Sequence, residues 1–194
     1  MEGVTAPIIK SNDFFGGYMA TQHLWKQGYR DIAYLAAPRY RTSVDRCQGY
    51  ISALQHRGME INRKRILMLD DGTTGECYDK LTDLLESDLP VDAVFCFNEE
   101  IAFEAIRAVE DTNQRVSADI GIIGYGDTIH CENGKVSLTT VSSKIEDVGR
   151  MAARVLGKMV EKQERDAFAY YLIEPSIVVR ESCLGRDNTG RFPE

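Results

Sequence analysis

The feature that most constrains the fold is a unit that occurs four times: a short apolar run, a turn, and an amphipathic helical stretch. The apolar runs lie at residues 32–35, 66–69, 93–96 and 120–123. Their starts are roughly thirty residues apart, which is the length of a βαβ unit. This spacing predicts an α/β fold with a doubly wound parallel sheet covered by helices on both faces. Such sheets bind ligands outside the carboxyl ends of their strands, where a site is therefore expected.

The order of apolar and amphipathic segments predicts the elements of the whole chain. Strands are predicted at residues 8–11, 31–36, 65–69, 91–97, 119–124, 168–173 and 176–180, and helices at 13–27, 43–56, 75–86, 99–110 and 145–160. Thr42 and Asp45 have the spacing of a capping box, with Asp in place of the usual Glu, at the start of the second helix. Residues 184–194 are polar and contain Gly and Pro, so a loose tail is expected there.

Composition and charge exclude several classes of protein. The 194 residues are 43% apolar, enough to bury the core of one large domain or of one domain plus part of another. No apolar run reaches the ~20 residues of a membrane span, and the N-terminus lacks the features of a signal peptide. We therefore expect a cytoplasmic protein without membrane contact. The net charge of −7 disfavours nucleic-acid binding by this segment itself.

The cysteines and histidines give no sign of a disulfide framework or a metal site. The five cysteines form no CxxC pair, and the three histidines have neither HExxH nor another ligand-like spacing. We therefore expect buried, reduced thiols and no bound metal.

Polar side chains follow each of the four central strands. Because the carboxyl ends of parallel strands meet at one edge of a sheet, these side chains should converge there. Arginine supplies several donors, asparagine supplies both a donor and an acceptor, and aspartate accepts. This mixture suits a ligand rich in hydroxyls or amides that is held by hydrogen bonds. The candidate ligand-binding residues are Arg46, Thr42, Asn98, Asp127, Asp70 and Phe14.

Most of these candidates also have a purely structural interpretation. Thr42 and Asn98 stand where helix N-caps are expected, and capping is compatible with ligand binding. Asp70 and Asp127 fit turn positions. Arg46 lies one turn into a helix, where an arginine usually faces solvent or forms a salt bridge. The residues alone leave these alternatives open.

The sequence contains no recognisable catalytic set. It has no GxSxG elbow and no GxxxxGK[ST] phosphate loop. The glycines of residues 121–126 follow the order GxxGxG and run along a strand, so they do not match a dinucleotide-binding fingerprint. We expect neither an enzyme nor a bound cofactor, and a nucleotide-dependent enzyme is the least favoured interpretation.

Eight short segments of the chain form a recognisable series. They are FGGYMA at 15–20, HL at 23–24, GYRDIAYL at 28–35, RCQGY at 46–50, PVDAVFC at 90–96, DIGIIGY at 119–125, LTTV at 138–141 and VRESC at 179–183. These segments resemble bacterial transcription regulators of the lactose-repressor (LacI/GalR) family, especially its purine-repressor branch. Their order and spacing fit the family from about residue 8 to residue 183.

The resemblance implies a periplasmic-binding-protein-like effector domain with two α/β subdomains and three chain crossings between them. Those crossings would fall near residues 10–12, 140–143 and 173–175. Residues 12–140 would form the C-terminal subdomain, and 141–173 would add a helix and a strand to an otherwise missing N-terminal subdomain. A return strand would occupy 174–183, followed by the tail at 184–194. The helix-turn-helix head of the family would lie outside this chain.

The resemblance also assigns ligand positions. Arg46 stands where the effector-binding arginine of the family precedes x-x-Gly-aromatic. Thr42 matches a small hydroxyl position that often contacts ligand, and Asn98 matches a polar position that contacts sugars in some members.

Three departures from the family pattern bear on the ligand. The usual Asp-Asn at the first crossing is Asn12-Asp13, and the family's ligand-binding Asp position is Gly126. An aromatic residue that often stacks on the ligand is replaced by Asp70 or Asp71. These departures indicate either a ligand other than a simple sugar or a degenerate pocket.

The expected function is effector sensing in a DNA-binding transcription regulator that acts as a homodimer. A sugar or nucleobase-like effector in the cleft would change the closure of the subdomains and so the affinity for operator DNA, which the absent head would contact. The alternative is a solute-binding protein of the same fold that serves transport or sensing.

The last helix should lack its normal partner within this chain, because the family packs it on the subdomain that is mostly missing. Its apolar face is formed by Ile145, Val148, Ala152, Val155, Leu156 and Met159. An exposed apolar stripe usually marks an interface. We expect this helix to fold back onto its own sheet or, preferentially, to dock against a second copy.

Overall fold

A computed structural model describes residues 6–162 and 169–185. The strands are β1 (Ile8–Ser11), β2 (Ile32–Ala36), β3 (Ile66–Met68), β4 (Ala93–Cys96), β5 (Gly121–Gly126), β6 (Thr139–Ser142), β7 (Tyr170–Ile173) and β8 (Ser176–Val178). The helices are α1 (Asp13–Lys26), α2 (Arg41–His56), α3 (Thr74–Leu85), α4 (Glu99–Asp111) and α5 (Ile145–Lys162). Residue 168 and residues 186–194, to which we assigned a strand start and most of the tail, lie outside the described residues.

The strands form two separate sheets. The larger sheet has the order β3-β2-β4-β5-β6-β8, in which the first five strands are parallel and β8 is antiparallel to β6. The smaller sheet pairs β1 with β7 in parallel. The predicted parallel α/β sheet is confirmed, with an antiparallel strand at one edge.

The core lies around the central strands of the larger sheet. Every residue of β2 and β4 is buried, so both faces of these strands are covered. Helix α1 packs on α2, and α3 packs on α4. Apolar runs without polar alternation thus become the central strands, as their composition predicts.

Two glycines allow α1 and α2 to touch backbone to backbone. A Cβ on Gly17 would overlap the carbonyl oxygen of Arg46, and a Cβ on Gly49 would overlap that of Phe14. This close approach brings the first turn of α1 next to the second turn of α2, where Arg46 lies.

The chain passes between the two sheets three times. It enters the larger sheet after Ser11, leaves it after Ser142, and returns between Ile173 and Ser176. Strand β6 reaches Ser142, two residues beyond the boundary that we expected at 140.

The prediction that Thr42 caps the second helix is wrong. Helix α2 begins at Arg41, its N-cap residue is Tyr40, and no side chain makes the cap hydrogen bond. Instead, the hydroxyl of Ser43 accepts from the amide of Ala37 at 2.9 Å. Asp45, the expected partner of a capping box, accepts from the side chains of two cations, Lys10 and Arg41. The local pattern was misleading because the hydroxyl of Ser43, one residue beyond Thr42, accepts the hydrogen bond from the loop before the helix.

Helix α5 contacts β1 of the smaller sheet with only part of its apolar surface. Val148, Met151, Val155 and Met159 are half-buried. Ile145, Leu156 and Val160 are 73%, 62% and 72% exposed. The helix therefore packs within its own chain on the smaller sheet, and not on the larger sheet as the fold-back alternative expected, and it leaves a second apolar stripe in solvent.

All five cysteines are free thiols; four are buried and Cys47 is half-buried. Burial raises the pKa of Cys47 to about 11, which keeps this thiol protonated at neutral pH.

No described helix is long and apolar enough to span a bilayer, and no described cluster of His, Cys, Asp and Glu could hold a metal ion.

Candidate functional site

The centre of the candidate site is the guanidinium of Arg46, which is only 12% exposed. Its Nε and Nη2 atoms both donate to Oδ1 of Asp13, at 3.0 and 2.8 Å. Its Nη1 atom donates to the backbone carbonyl of Phe97, at the carboxyl end of β4. The salt-bridge interpretation of Arg46 therefore holds, and the solvated one is wrong.

The partner of Arg46, Asp13, is almost completely buried, with 3% of its side chain exposed. It lies in the first turn of α1, directly after the N-cap Asn12, whose side-chain oxygen accepts from Phe15 N at 3.1 Å. A carboxylate is favoured at a helix N-terminus because the exposed amides and the helix dipole attract negative charge. The cap thus fixes the helix start, and the helix start fixes the acceptor for Arg46.

The guanidinium of Arg46 lies over an aromatic ring. Its Cζ lies 3.5 Å from the ring centroid of Tyr125, which is a cation–π contact at the end of β5. Burial raises the pKa of Tyr125, so its hydroxyl stays protonated. Tyr40 stacks on Phe97 with ring centroids 5.9 Å apart and remains 42% exposed. Tyr40 therefore presents a partly exposed aromatic ring next to Phe97, whose carbonyl accepts from Arg46.

Asn98 caps helix α4, as the capping alternative predicted. Its Oδ1 accepts from the amide of Ile101 at 2.9 Å. Among the described residues, no acceptor takes its side-chain NH₂ group. The same asparagine can therefore hold the helix through its oxygen and offer two donors to a ligand.

Asp127 is held in a loop clamped by the neighbouring Glu99. Asp127 has a positive φ of 72° and pairs with Nη2 of Arg180 at 2.9 Å. The Glu99 carboxylate accepts from the amide of Asp127, from the amide and hydroxyl of Thr128, and from Sγ of Cys131. The turn interpretation of Asp127 is correct, and its side chain remains 22% exposed at the strand edge.

Asp70 lies apart from Arg46, after the outer strand β3. Its side chain is 82% exposed and lies 3.5 Å from Lys80. The loop is held by Glu76, which accepts from the amides of Asp70 and Asp71 at 2.7 and 3.0 Å. Burial opposes the charge of Glu76, but the hydrogen bonds from Lys80 and these amides lower its pKa to about 2. Asp70 is thus a turn residue at the rim.

The loop after β3 nevertheless lies next to the exposed ring of Tyr40. A Cβ on Gly72 would lie 3.4 Å from the ring of Tyr40. Tyr40 therefore lies between this loop and Phe97, and it links the end of β3 to the end of β4.

Lys10 connects the smaller sheet to this edge. Its ammonium lies 2.8 Å from Asp45 and 3.6 Å from Asp13. Burial of Lys10 opposes its charge, but the hydrogen bond and charge of Asp45 raise its pKa above the usual value. One cation thus spans β1, α1 and α2 at the first crossing.

The two remaining candidates, Thr42 and Phe14, lie on the first turns of helices. Thr42 is exposed in α2, and Phe14 is 44% exposed in α1. No hydrogen bond or ring contact joins either of them to Arg46 among the described residues.

Sequence reasoning missed the partners that hold the candidates in place. Asp13, Tyr40, Glu76 and Arg180 were not in the candidate set. Asp13 and its partner Arg46 are 33 residues apart, and Arg180 and its partner Asp127 are 53 residues apart. Local sequence patterns carry no signal at such separations. Tyr125 and Arg180 do fall in segments that carry the family resemblance, which was the one signal available.

The assembled edge offers directional donors and acceptors next to aromatic rings. Asp13 and Phe97 take three of the five N–H groups of Arg46, which leaves one on each terminal nitrogen. Asn98 adds donors, Asp127 adds a carboxylate oxygen, and Tyr40 adds a ring. This set can bind and orient a small polar molecule.

Comparison with known proteins identifies the family. Residues 21–183 match the family model of the periplasmic binding protein-like domain. The HTH-type transcriptional repressor PurR of Pasteurella multocida is 32% identical over 183 residues, which cover 92% of this chain and 53% of the relative. The chain thus spans about half the length of the curated relatives it matches.

Solved structures agree with this match. The complex of the transcriptional regulator CelR with cellobiose has a TM-score of 0.83 and 29% identity, covering 92% of this chain and 54% of that one. A LacI-family regulator from Enterococcus faecium with bound ribose has a TM-score of 0.76 and 27% identity, covering 91% and 65%. These proteins are transcription regulators and not enzymes. The chain therefore belongs to the periplasmic-binding-protein-like family, in the form that LacI-family regulators use.

Proposed function

We propose that this chain is the effector-sensing part of a LacI-type transcription regulator and binds a small molecule at the carboxyl edge of the larger sheet. The observation that carries the proposal is the geometry of Arg46. Its buried guanidinium is fixed by Asp13, Phe97 and Tyr125, while one N–H on each terminal nitrogen is left for a ligand. Two charge-assisted donors can hold two ligand oxygens.

The remaining candidates define the other contacts of the ligand. The NH₂ group of Asn98 donates to it, Asp127 accepts from it, and the exposed ring of Tyr40 stacks on it. Thr42, Asp70 and Phe14 stand further out and would contact a larger ligand at the rim. This arrangement suits a sugar or a nucleobase-like molecule, since both combine hydroxyls or amides with a flat or apolar face.

The three passages between the sheets provide the coupling. In this proposal residues 12–140 belong to one subdomain and 141–173 belong to a second, with a return strand at 174–183. Lys10 of β1 already contacts the Asp13 and Asp45 carboxylates at the edge of the larger sheet. A ligand held at this edge would favour one closure of the subdomains over another.

The partners follow from the same proposal. A closure change would be transmitted to a DNA-binding head outside this chain, and a homodimer would present two such heads to operator DNA. We place the protein in the cytoplasm, where operator DNA is found. The transport alternative gains no support from the proteins compared above, which are transcription regulators.

The proposal is tested by a thermal-shift screen of ribose, cellobiose and nucleobases, followed by calorimetry with the tightest ligand. Asn98→Ser keeps a capping hydroxyl but removes the NH₂ donor, so affinity should fall several-fold. Asn62→Ser is the matched control, because Asn62 caps the short helix before β3 with a 3.0 Å bond to Lys64 N. A screen in which no sugar or nucleobase binds would overturn the proposal, as would equal losses in the two variants.

A further inference from the structure

We infer that Asp13 is a specificity-determining residue that restricts the site to uncharged ligands and rejects anionic ones, such as phosphorylated or carboxylated effectors. The inference rests on the proposed function, since it names the class of ligand that the Arg46 site accepts. It follows from where the charge of Arg46 is compensated.

Arg46 already has an anionic partner inside the protein. Both hydrogen bonds to Oδ1 of Asp13 are short and come from the same side of the guanidinium. The two groups are 12% and 3% exposed, so water screens their attraction weakly. An arginine that binds an anionic ligand needs an uncompensated positive charge. The charge of Arg46 is already neutralised by Asp13 in the protein without ligand.

Three neighbouring cations also have carboxylate partners. Lys10 and Arg41 share Asp45, at 2.8 and 3.1 Å. Arg180 pairs with Asp127 at 2.9 Å and with Glu132 at 3.1 Å. The ion pairs around Arg46 therefore hold as many carboxylates as cations, so an anion bound there would find no excess of positive charge in them.

Lys144 does not alter this balance. It lines a cavity of about 300 Å³ beside the end of β5, together with Arg150 and the carboxylates of Asp127, Glu146 and Asp147. Arg150 lies 2.5 Å from Asp147 and 3.7 Å from Glu146, so three carboxylates face two cations and the cavity has no excess of positive charge for an anion.

An uncharged ligand gains from the same arrangement. The free N–H groups of Arg46 remain strong donors, because hydrogen bonds from a charged donor are stronger than neutral ones. A hydroxyl or amide oxygen can accept them without bringing a second negative charge near Asp13. The buried pair thus keeps the hydrogen-bonding power of arginine and removes its preference for anions.

The test is calorimetric titration of inorganic phosphate at pH 7 and constant ionic strength, with the protein and three variants. Asp13→Asn has nearly the same shape, keeps an acceptor for Arg46 and removes the negative charge. We expect this variant to bind phosphate saturably, with an affinity at least tenfold above the weakest that the titration detects. The unmodified protein should show no saturable binding. Arg46→Gln, added to Asp13→Asn, should abolish the gain.

Asp31→Asn is the matched control, since it removes a carboxylate that pairs with Arg65 at 2.6 Å directly before β2, at the opposite edge of the larger sheet. It should change phosphate binding less than twofold. Saturable phosphate binding by the unmodified protein would overturn the inference even if no variant folded. So would an Asp13→Asn protein that gains nothing, or a gain that survives Arg46→Gln.

The phosphate titration also separates this inference from the proposed function. Phosphate binding reports the charge at Arg46 and requires no knowledge of the effector. A screen in which no neutral ligand binds would count against the proposed function, whereas the phosphate result depends only on the pair of Asp13 and Arg46.

Discussion

Arg46 has two roles that a single substitution cannot separate. It offers donors to a ligand, and it neutralises Asp13, which is 3% exposed. Removing one partner of a buried ion pair leaves a charge without compensation, and this costs far more than the pair itself contributes. The affinity of an alanine variant therefore has to be read together with its stability.

We predict that Arg46→Ala lowers the free energy of unfolding by about 3 kcal/mol, the usual cost of leaving a buried charge unpaired. In the variant, Lys10, at 3.6 Å, is the one described cation that remains within ion-pair distance of Asp13. The double variant Arg46→Ala/Asp13→Ala should recover a large part of this loss. Urea unfolding of both proteins measures the difference, and equal stabilities of the single and double variants would contradict the buried-pair assignment.

We also predict that Arg46→Ala weakens effector binding at least tenfold, since charge-assisted hydrogen bonds contribute about 1.5–3 kcal/mol each. Calorimetry should be run well below the unfolding midpoint of the variant, so that the loss of binding is not a loss of fold. Unchanged affinity would remove Arg46 from the ligand site.

Glu76 gives the molecule a pH dependence of defined sign. Its pKa is about 2 in the folded protein and about 4.5 when unperturbed. A depressed folded pKa contributes stability that is fully present above the unfolded value and is lost as pH falls through the folded one. The contribution of Glu76 should therefore disappear between about pH 4.5 and about pH 2.

The check compares urea unfolding of the protein with that of Glu76→Gln at pH 7, 4 and 2.5. The variant should be about 1–2 kcal/mol less stable at pH 7, because the amides of the β3 loop lose a charged acceptor. That difference should shrink steadily toward pH 2.5. Glu86→Gln, an exposed change at the end of the same helix, is the control, and a pH-independent difference for Glu76→Gln would refute the assignment.

At the scale of elements, the sequence predicts the central sheet well because its evidence is local. Four apolar runs of strand length become β2, β3, β4 and β5, and the helix bounds differ from the prediction by two residues or fewer. The start of α2, at Arg41 and not at Ser43, is the largest difference at a helix start, and it has a clear cause. Thr42 has the right chemistry for a cap, but Ser43 bonds to Ala37 and lets the helix begin one residue before Thr42.

Helix α5 carries the prediction on association. The side chains of its exposed stripe, Ile145, Leu156 and Val160, are 73%, 62% and 72% exposed, and burying such side chains is worth roughly 1.5–3 kcal/mol each. We predict that this chain forms a dimer through α5 and that Leu156→Glu returns it to a monomer. Leu156 is a sharper probe than Val155, which is half-buried toward the chain's own fold.

Sedimentation equilibrium measures the association. Gln55→Glu adds the same single charge at an exposed site on α2 and should leave the dimer intact. A monomer at high micromolar concentration, with α5 helical by circular dichroism, would show that this stripe is not an interface.

At the scale of the whole molecule, the sequence predicts where the site lies but not how it is held. The edge follows from the rule for parallel sheets, and Arg46, Asn98 and Asp127 all lie on it. The pairing of Arg46 with Asp13 depends on two glycines that let α1 touch α2. Contacts of this kind join residues more than thirty positions apart, so no local pattern reports them.

The charge of the whole chain also makes a prediction. With a net charge of −7, residues 1–194 should show no tight, sequence-dependent binding to operator DNA, because such binding requires a basic surface that neutralises phosphates. A mobility-shift assay at two salt concentrations tests this. A specific complex formed by these residues alone would contradict the division between sensing and DNA-binding parts.

The most direct test of the central claim is a map of backbone amide chemical shifts on addition of the tightest ligand from the sugar and nucleobase screen. The largest changes should fall at the carboxyl edge, at Asp13, Arg46, Asn98 and Asp127. Gly28 and Gln114 follow helices at the opposite edge and should stay unchanged. Changes centred on that opposite edge, with Arg46 and Asn98 unaffected, would contradict the claim that the carboxyl edge is the effector site.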